Sequence, residues 1–302
     1  MPTNDNRMDD DLEHPNPGRR STLKMATAVA TLGLTEIVSP TKASTAATSA
    51  ALPWLDVTSF GALGDGIQDD HPRIMQAYMS LPDSGGILYC PHPSNYYRIT
   101  SPLTFGNGTS TTPSVKQNIY LLGSVPLSGN GAQLSYPSNN QYPTRIVYDG
   151  DSIAGHVVKF EGPMTCGIAG LTLDGNLRAN YGLWTSHDFR SSFRDMFVYR
   201  TQTGIRHDSL GDVTGVSIGA ADNTWERVHV ANHEWPTGAA AVFDIGVDTL
   251  LTGLDVNRDV FTSCTVVTKD DVGSSSYVIR GVDLVTFINC MGYSVDNRRA
   301  KA

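Results

Sequence analysis

Two short clusters in the second half of the chain hold residue types suited to proton transfer and ligand binding: Arg206-His207-Asp208 and His233-Glu234-Trp235. A carboxylate at Asp208 or Glu234 can protonate a leaving oxygen or activate water, and His207 can move a proton near neutral pH. Arg206 and His233 supply cationic donors for an anionic ligand. Trp235, and Trp184 upstream, carry flat apolar faces of the kind that stack on sugar rings. Three adjacent residues cannot all point into one cleft, so at most two of 233–235 belong to a site. Each cluster also has a plainer reading: a solvated loop with a local ion pair for the first, a loop anchored by a half-buried Trp235 for the second. A third acidic group, Asp270-Asp271, is followed by Gly273-Ser274-Ser275, and a turn explains it.

What would hold these clusters in place is a repeat. From residue 168 the pattern apolar, two others, apolar, one other, apolar occurs at Ile168/Leu171/Leu173, Phe193/Met196/Val198, Trp225/Val228/Val230 and Phe261/Cys264/Val266. It fades at Phe287/Cys290/Gly292. Successive starts lie 25, 32, 36 and 26 residues apart (168, 193, 225, 261, 287), the spacing of a solenoid whose units bury an apolar face only by stacking. A strand alternates with period two, so the three-residue step demands a bend. Gly170, Asp195, Arg227, Ser263 and Asn289 occupy the bend positions. Phe193, Trp225, Phe261 and Phe287 are expected to point inward as one column. The two long spacings predict insertions around 199–224 and 231–260, whose neighbouring loops would wall a groove containing both clusters. If they do not, the outward faces near Asp188 and Asp244 are the alternative. Cys264 and Cys290 hold equivalent positions, as stacked thiols or as a disulfide.

Upstream, Phe60-Gly61-Ala62-Leu63-Gly64-Asp65-Gly66 leads into Asp69-Asp70 and a helical pattern with Ile74, Ala77, Tyr78 and Leu81 on one face. The spacing predicts a helix over 69–81, with Asp69 or Asp70 capping its free N–H groups and Pro72 in the first turn. Gly85-Gly86-Ile87-Leu88 then opens a strand. This stretch resembles the opening module of the pectate-lyase-like superfamily, which includes polygalacturonase- and rhamnogalacturonase-type enzymes, mannuronan epimerases and phage tailspikes. The resemblance is closest over residues 56–103 and recurs weakly at Leu173-Asp174-Gly175-Asn176. It implies an all-β fold, a single right-handed parallel β-helix over 51–302 with an N-terminal capping helix. Asp65, Asp69 and Asp70 are then structural. The superfamily's catalytic signatures are not reproduced: the epimerase Asp-Pro-His-Glu is replaced around Arg206-His207-Asp208, and the polygalacturonase set is missing.

Residues 1–50 resemble a twin-arginine export signal and linker, with Arg19-Arg20 ahead of a modest apolar run and a small-residue stretch ending near Ala46. That implies a periplasmic or extracellular protein. A formal charge of −8 argues against a nucleic-acid partner, and no apolar run reaches membrane-span length. Anionic polysaccharides would need calcium to bridge like charges, so calcium is expected if the activity is that of a lyase. The last repeat runs straight into Asn297-Arg298-Arg299, so either the chain is a piece of a longer one or a partner or second copy covers that end. Two function classes follow: an exported enzyme that cleaves or modifies a polysaccharide, by hydrolysis or β-elimination, and a non-catalytic β-helix that binds glycans or builds a surface structure.

Overall fold

The computed structural model describes residues 52–106, 116–124, 144–208, 219–232, 235, 241–246, 256–269 and 275–295. All lie in the compact unit Ala50–Ala302. Arg19, Arg20, His233, Glu234, Asp270 and Asp271 fall outside the described residues.

The chain begins with β1 (Trp54–Asp56), a 3-10 turn, α1 (His71–Ser80), then β2 (Gly86–Cys90), β3 (Tyr97–Ile99) and β4 (Leu103–Gly106). The next circuit holds β5 (Ile119–Gly123), β6 (Arg145–Tyr148) and β7 (Ala154–Met164). It is followed by β8 (Cys166–Ala169) and two long bent strands, β9 (Thr172–Asp188) and β10 (Ser192–Asp208). Then come β11 (Ala220–Ala221), β12 (Thr224–Ala231), β13 (Ala241–Gly246), β14 (Val256–Thr262) and β15 (Thr265–Lys269). The last circuit is β16 (Ser275–Arg280), β17 (Val282–Ile288) and β18 (Met291–Val295).

Every pairing is parallel, and the chain visits three ladders in rotation. One runs β1–β2–β5–β8–β10–β12–β14–β17. A second runs β3–β6–β9–β10–β12–β15–β18. The third runs β4–β7–β9–β10–β13–β16. Among the described residues the architecture is mostly β and parallel, with one α-helix.

Register along the first ladder stacks Leu55, Leu88, Leu121, Ile168, Phe193, Trp225, Phe261 and Phe287. Phe193, Trp225 and Phe261 are fully buried, and Phe287 packs against the same core. Ring centroids from Phe193 to Trp225, Phe261 and Phe287 are successively 4.1, 5.5 and 4.9 Å apart, with near-parallel planes. Burial of each such ring contributes about 2–3 kcal/mol beyond leaving it in water. The expected aromatic column is present.

The bends are where the repeat places them. Gly170, Asp195, Arg227, Ser263 and Asn289 all have left-handed backbone, with φ between 50° and 68°. Four of the five are not glycine. At two of them the cost is offset between coils: Arg227 grips Asp195 through Nε and Nη2 at 2.6 and 2.9 Å. A parallel corner pairs Arg258 with Asp222 at 2.7 and 2.9 Å.

Helix α1 buries Ile74, Ala77 and Tyr78 in the same core, and the Tyr78 hydroxyl accepts from Gly106 N at 3.1 Å. Asp69 accepts from His71 N and from both N and Oγ1 of Thr100. Asp70 departs from the capping expectation. Its side chain turns back to accept from Leu63 N and Gly64 N at 2.8 and 3.1 Å, closing the glycine-rich turn. Asp65 accepts from Ile67 N and Gln68 N, likewise turn duty.

Candidate functional site

Residues 206–208 do not lie in an insertion; they are the end of β10, on the third ladder. Ile205 is inward and fully buried, so alternation sends His207 inward and Arg206 and Asp208 outward. The three residues read as one cluster therefore serve two different places.

The outward place is a strip across five strands. At one level stand Lys159, Trp184, Arg206 and Asp244, from β7, β9, β10 and β13. Two residues on, Glu161, Ser186 and Asp208 align, and Gly246 aligns with Arg280 of β16. Lys159 Nζ sits 3.7 Å above the Trp184 ring and 2.8 Å from Glu161. Trp184 Nε1 donates to Asp208 Oδ1 at 3.2 Å. Arg206 donates through Nε to Asp208 Oδ2 at 2.8 Å and through Nη1 to Asp244, whose other oxygen meets Arg280. Tyr181 and His156 flank Trp184, with centroids at 5.4 and 6.2 Å. Burial, with the Lys159 charge beside it, holds His156 down at about 4, so it is neutral at physiological pH. The strip is a chain of alternating charges with an aromatic cluster at one end.

The inward place is a polar pocket inside the coil. Cys166, Ser191, Asn223 and Asp259 stack one per coil: Ser191 Oγ accepts from Cys166 N, Asn223 Oδ1 from Ser191 N, and Asp259 Oδ1 from Asn223 N. His207 enters from the third ladder. Its Nδ1 is 2.5 Å from Thr185 Oγ1 and 3.5 Å from Asp188 Oδ1. Its Nε2 is 2.7 Å from Asp259 Oδ2, an ion-pair contact when the ring is protonated. Burial works against the imidazolium, yet Asp259 and then Asp188 pull His207 up to about 9. Burial, reinforced by Asp259 and opposed by His207, raises Asp188 to about 6. Asp188 is wholly buried, and neither of its oxygens has a hydrogen-bond donor among the described residues.

Several expectations change accordingly. His207 is core-facing and does not reach a groove with Arg206 and Asp208. Asp188 is not on an outward face: His187 has φ 61°, which breaks the alternation and turns Asp188 inward. Trp235 is 7% exposed, so it is packed away rather than presented as a platform. Trp184 and Asp208 do meet, as do Arg206 and Asp244. Two expected members of the groove, His233 and Glu234, lie outside the described residues. The four cysteines are free thiols.

Among the described residues no group of three or more His, Cys, Asp or Glu side chains is placed to hold a metal ion. Asp208 and Asp244 turn to Arg206 and Arg280 rather than to a shared centre, so the strip does not fit calcium. No helix among the described residues is long and apolar enough to cross a membrane.

No family model matches the chain, and no curated protein sequence does. Among solved structures, ORF18 of Geobacillus virus E2 superposes with a TM-score of 0.52 at 17% identity, over 78% of this chain and 48% of that one. The chain thus spans about half the length of that protein, and the likeness is one of fold alone. The A-module of mannuronan C-5 epimerase AlgE4 from Azotobacter vinelandii overlaps with a TM-score of 0.37 at 15% identity, over 79% and 77% of the two chains. A GH87 alpha-1,3-glucanase catalytic unit from Streptomyces thermodiastaticus overlaps at 0.31 and 13%, over 80% and 57%. At these scores the last two overlaps carry no functional argument.

Sequence reasoning missed Asp259, Asn223 and Ser191 as a set. A signal was present: each stands two residues before a member of the aromatic column, at 193, 225 and 261, so each must point the same way.

Proposed function

We propose that this chain is an exported carbohydrate-active protein of right-handed β-helix type, with α1 capping the first coil, and that it acts on a polysaccharide lying along the outward strip of the third ladder. The observation that carries this reading is the strip itself: an indole, two carboxylates and two arginines brought into register from four successive strands. Strands stack about 4.8 Å apart, close to the length of one sugar residue, so a glycan laid across the coils meets a fresh set of side chains at each step. Half-buried Trp184 supplies stacking area, and Asp208 and Asp244 supply the carboxylates. At 3% and 6% exposure both are packed under their arginine partners, so a glycan reaches them only where Arg206 or Arg280 gives way. Arg206 holds both carboxylates in place and leaves one edge of the strip to Arg280, whose side chain is 39% exposed. Hydrolysis or β-elimination would use Asp208 or Asp244 to move a proton at the scissile bond.

A second reading, glycan binding without turnover, has its own support. Asp208 spends one oxygen on Trp184 and the other on Arg206, and Asp244 is gripped from both sides, an arrangement suited to a fixed recognition surface.

The deciding experiment is a screen of the purified protein on uronate and neutral polysaccharides, following reducing ends and unsaturated-uronate absorbance, with and without calcium. If the enzyme reading holds, Asp208→Asn or Asp244→Asn lowers turnover by about a hundredfold or more with the fold intact by circular dichroism. Glycan retention without turnover, weakened by the same substitutions, favours the binding reading. Neither turnover nor retention on any glycan overturns both.

A further inference from the structure

The last two coils bring two cysteines level. Thr262 pairs with Ile288 and Thr265 with Met291, three residues on in both strands, so Cys264 lies opposite Cys290. The hydrogen bond from Met291 N to Cys264 O at 2.9 Å fixes that level. Both sulfurs take the same setting one coil apart. Cys264 Sγ points to Trp225 O at 3.5 Å and Cys290 Sγ to Phe261 O at 3.4 Å, carbonyls that are themselves in register. Both side chains face the core, Cys264 within it and Cys290 packed against it. Adjacent parallel strands put such residues about 4.8 Å apart at Cα, inside the 4.4–6.8 Å span that a disulfide bridges. Cys90 and Cys166 have no such partner: Cys90 pairs with Gly123, and Cys166 with Ile119.

We infer that Cys264 and Cys290 form an intrachain disulfide on exposure to a small-molecule or protein disulfide oxidant, and that this bond staples the last coil to the one before it. Cys290 is the less buried residue of the two and reacts first. Its thiolate attacks the oxidant's disulfide, forming a mixed disulfide and releasing one thiol. Cys264 then loses its proton and attacks Cys290 Sγ, releasing the second thiol. The protein gives up two electrons and two protons; the oxidant's S–S bond takes them. Burial holds the Cys264 thiol well above its ordinary value, so its thiolate is scarce and the second step proceeds through its fixed position opposite Cys290. The bond closes a segment of 25 intervening residues (290 − 264 − 1). That segment includes β17, where Leu284 and Ile288 are exposed.

The test uses the full chain. It is incubated with oxidised glutathione or with dithiothreitol, blocked with an alkylating agent in denaturant, and digested without reduction for mass spectrometry. The expected result is a linked Cys264–Cys290 peptide, with Cys90 and Cys166 alkylated, and a Tm higher than that of the reduced chain by roughly 5–10 °C. Cys290→Ser, at a half-buried position, is expected to abolish both the linked peptide and the Tm rise. Four alkylated cysteines, a bridge between other cysteines or chains, or persistent glutathione on Cys290 overturns the pairing. A correct bridge that leaves Tm unchanged overturns the staple.

Discussion

At the scale of single residues, His207 carries the largest electrostatic consequence. A histidine raised from 6.5 to about 9 by folding binds its proton more tightly in the native state. It contributes stability that is fully present below pH 6.5 and is lost as pH rises toward 9. Asp188, raised from 3.8 to about 6, acts in the same direction at lower pH: the folded state favours its protonated form, and stability falls as it ionises. The groups facing His207 are Asp188, Asp259 and Thr185, with Trp225 edge-on at 5.2 Å and Asp208 on the opposite side of its strand. Tm is therefore expected to fall between pH 6.5 and 9, by an amount on the order of 3 kcal/mol in stability. In His207→Gln the fall across that window should vanish, measured by thermal unfolding against pH. A wild-type Tm that is flat or rising there would show that His207 is neutral in the core.

At the scale of elements, the corners decide how tightly successive strands can follow one another. A left-handed residue with a Cβ costs roughly 1 kcal/mol relative to glycine, and this chain accepts that cost at Asp195, Arg227, Ser263 and Asn289. Arg227 and Asp195 recover part of it through their inter-coil ion pair, although Arg227 is 39% exposed and solvent screens the gain. Ser263 has no ion pair. Ser263→Gly is thus expected to raise stability by about 0.5–1 kcal/mol, read from denaturant midpoints, while Arg227→Gly gains little because the same relief is offset by the lost contact. Glycine is required in one turn for a different reason. Gly85 has φ 89°, and a Cβ there would stand 1.4 Å from Gln117 O, so the turn into β2 admits no side chain.

At the scale of the whole molecule, the core is a stack in which each coil buries the next. Phe160, Phe193, Trp225, Phe243, Phe261 and Tyr277 interlock across ladders, with edge-on contacts such as Phe243 to Trp225 at 5.4 Å tying the first ladder to the third. Replacing Arg19 and Arg20 together by lysine is expected to retain the precursor in the cytoplasm, followed by fractionation and immunoblotting. Normal export of that variant would remove the twin-arginine reading while leaving the fold untouched.

What the amino-acid order determined alone was everything that depends on local period and residue type. The aromatic column at 193, 225, 261 and 287 follows from a repeated pattern, and the bends follow from its three-residue step, because a strand cannot keep period two across it. The acidic opening turn was legible as structure, though not that Asp70 would serve the turn rather than the helix. The sites were decided by tertiary structure. Whether 206–208 is loop or strand depends on how far β10 continues before leaving the ladder. One residue of phase separates an inward His207 from an outward Asp208, and pairing alone sets that phase. Asp188, His207 and Asp259 meet because different ladders face one interior, at sequence separations set by intervening segments whose lengths carry no pattern. The outward strip arises in the same way: Trp184, Arg206, Asp244 and Arg280 are scattered along the chain, and parallel register brings them side by side.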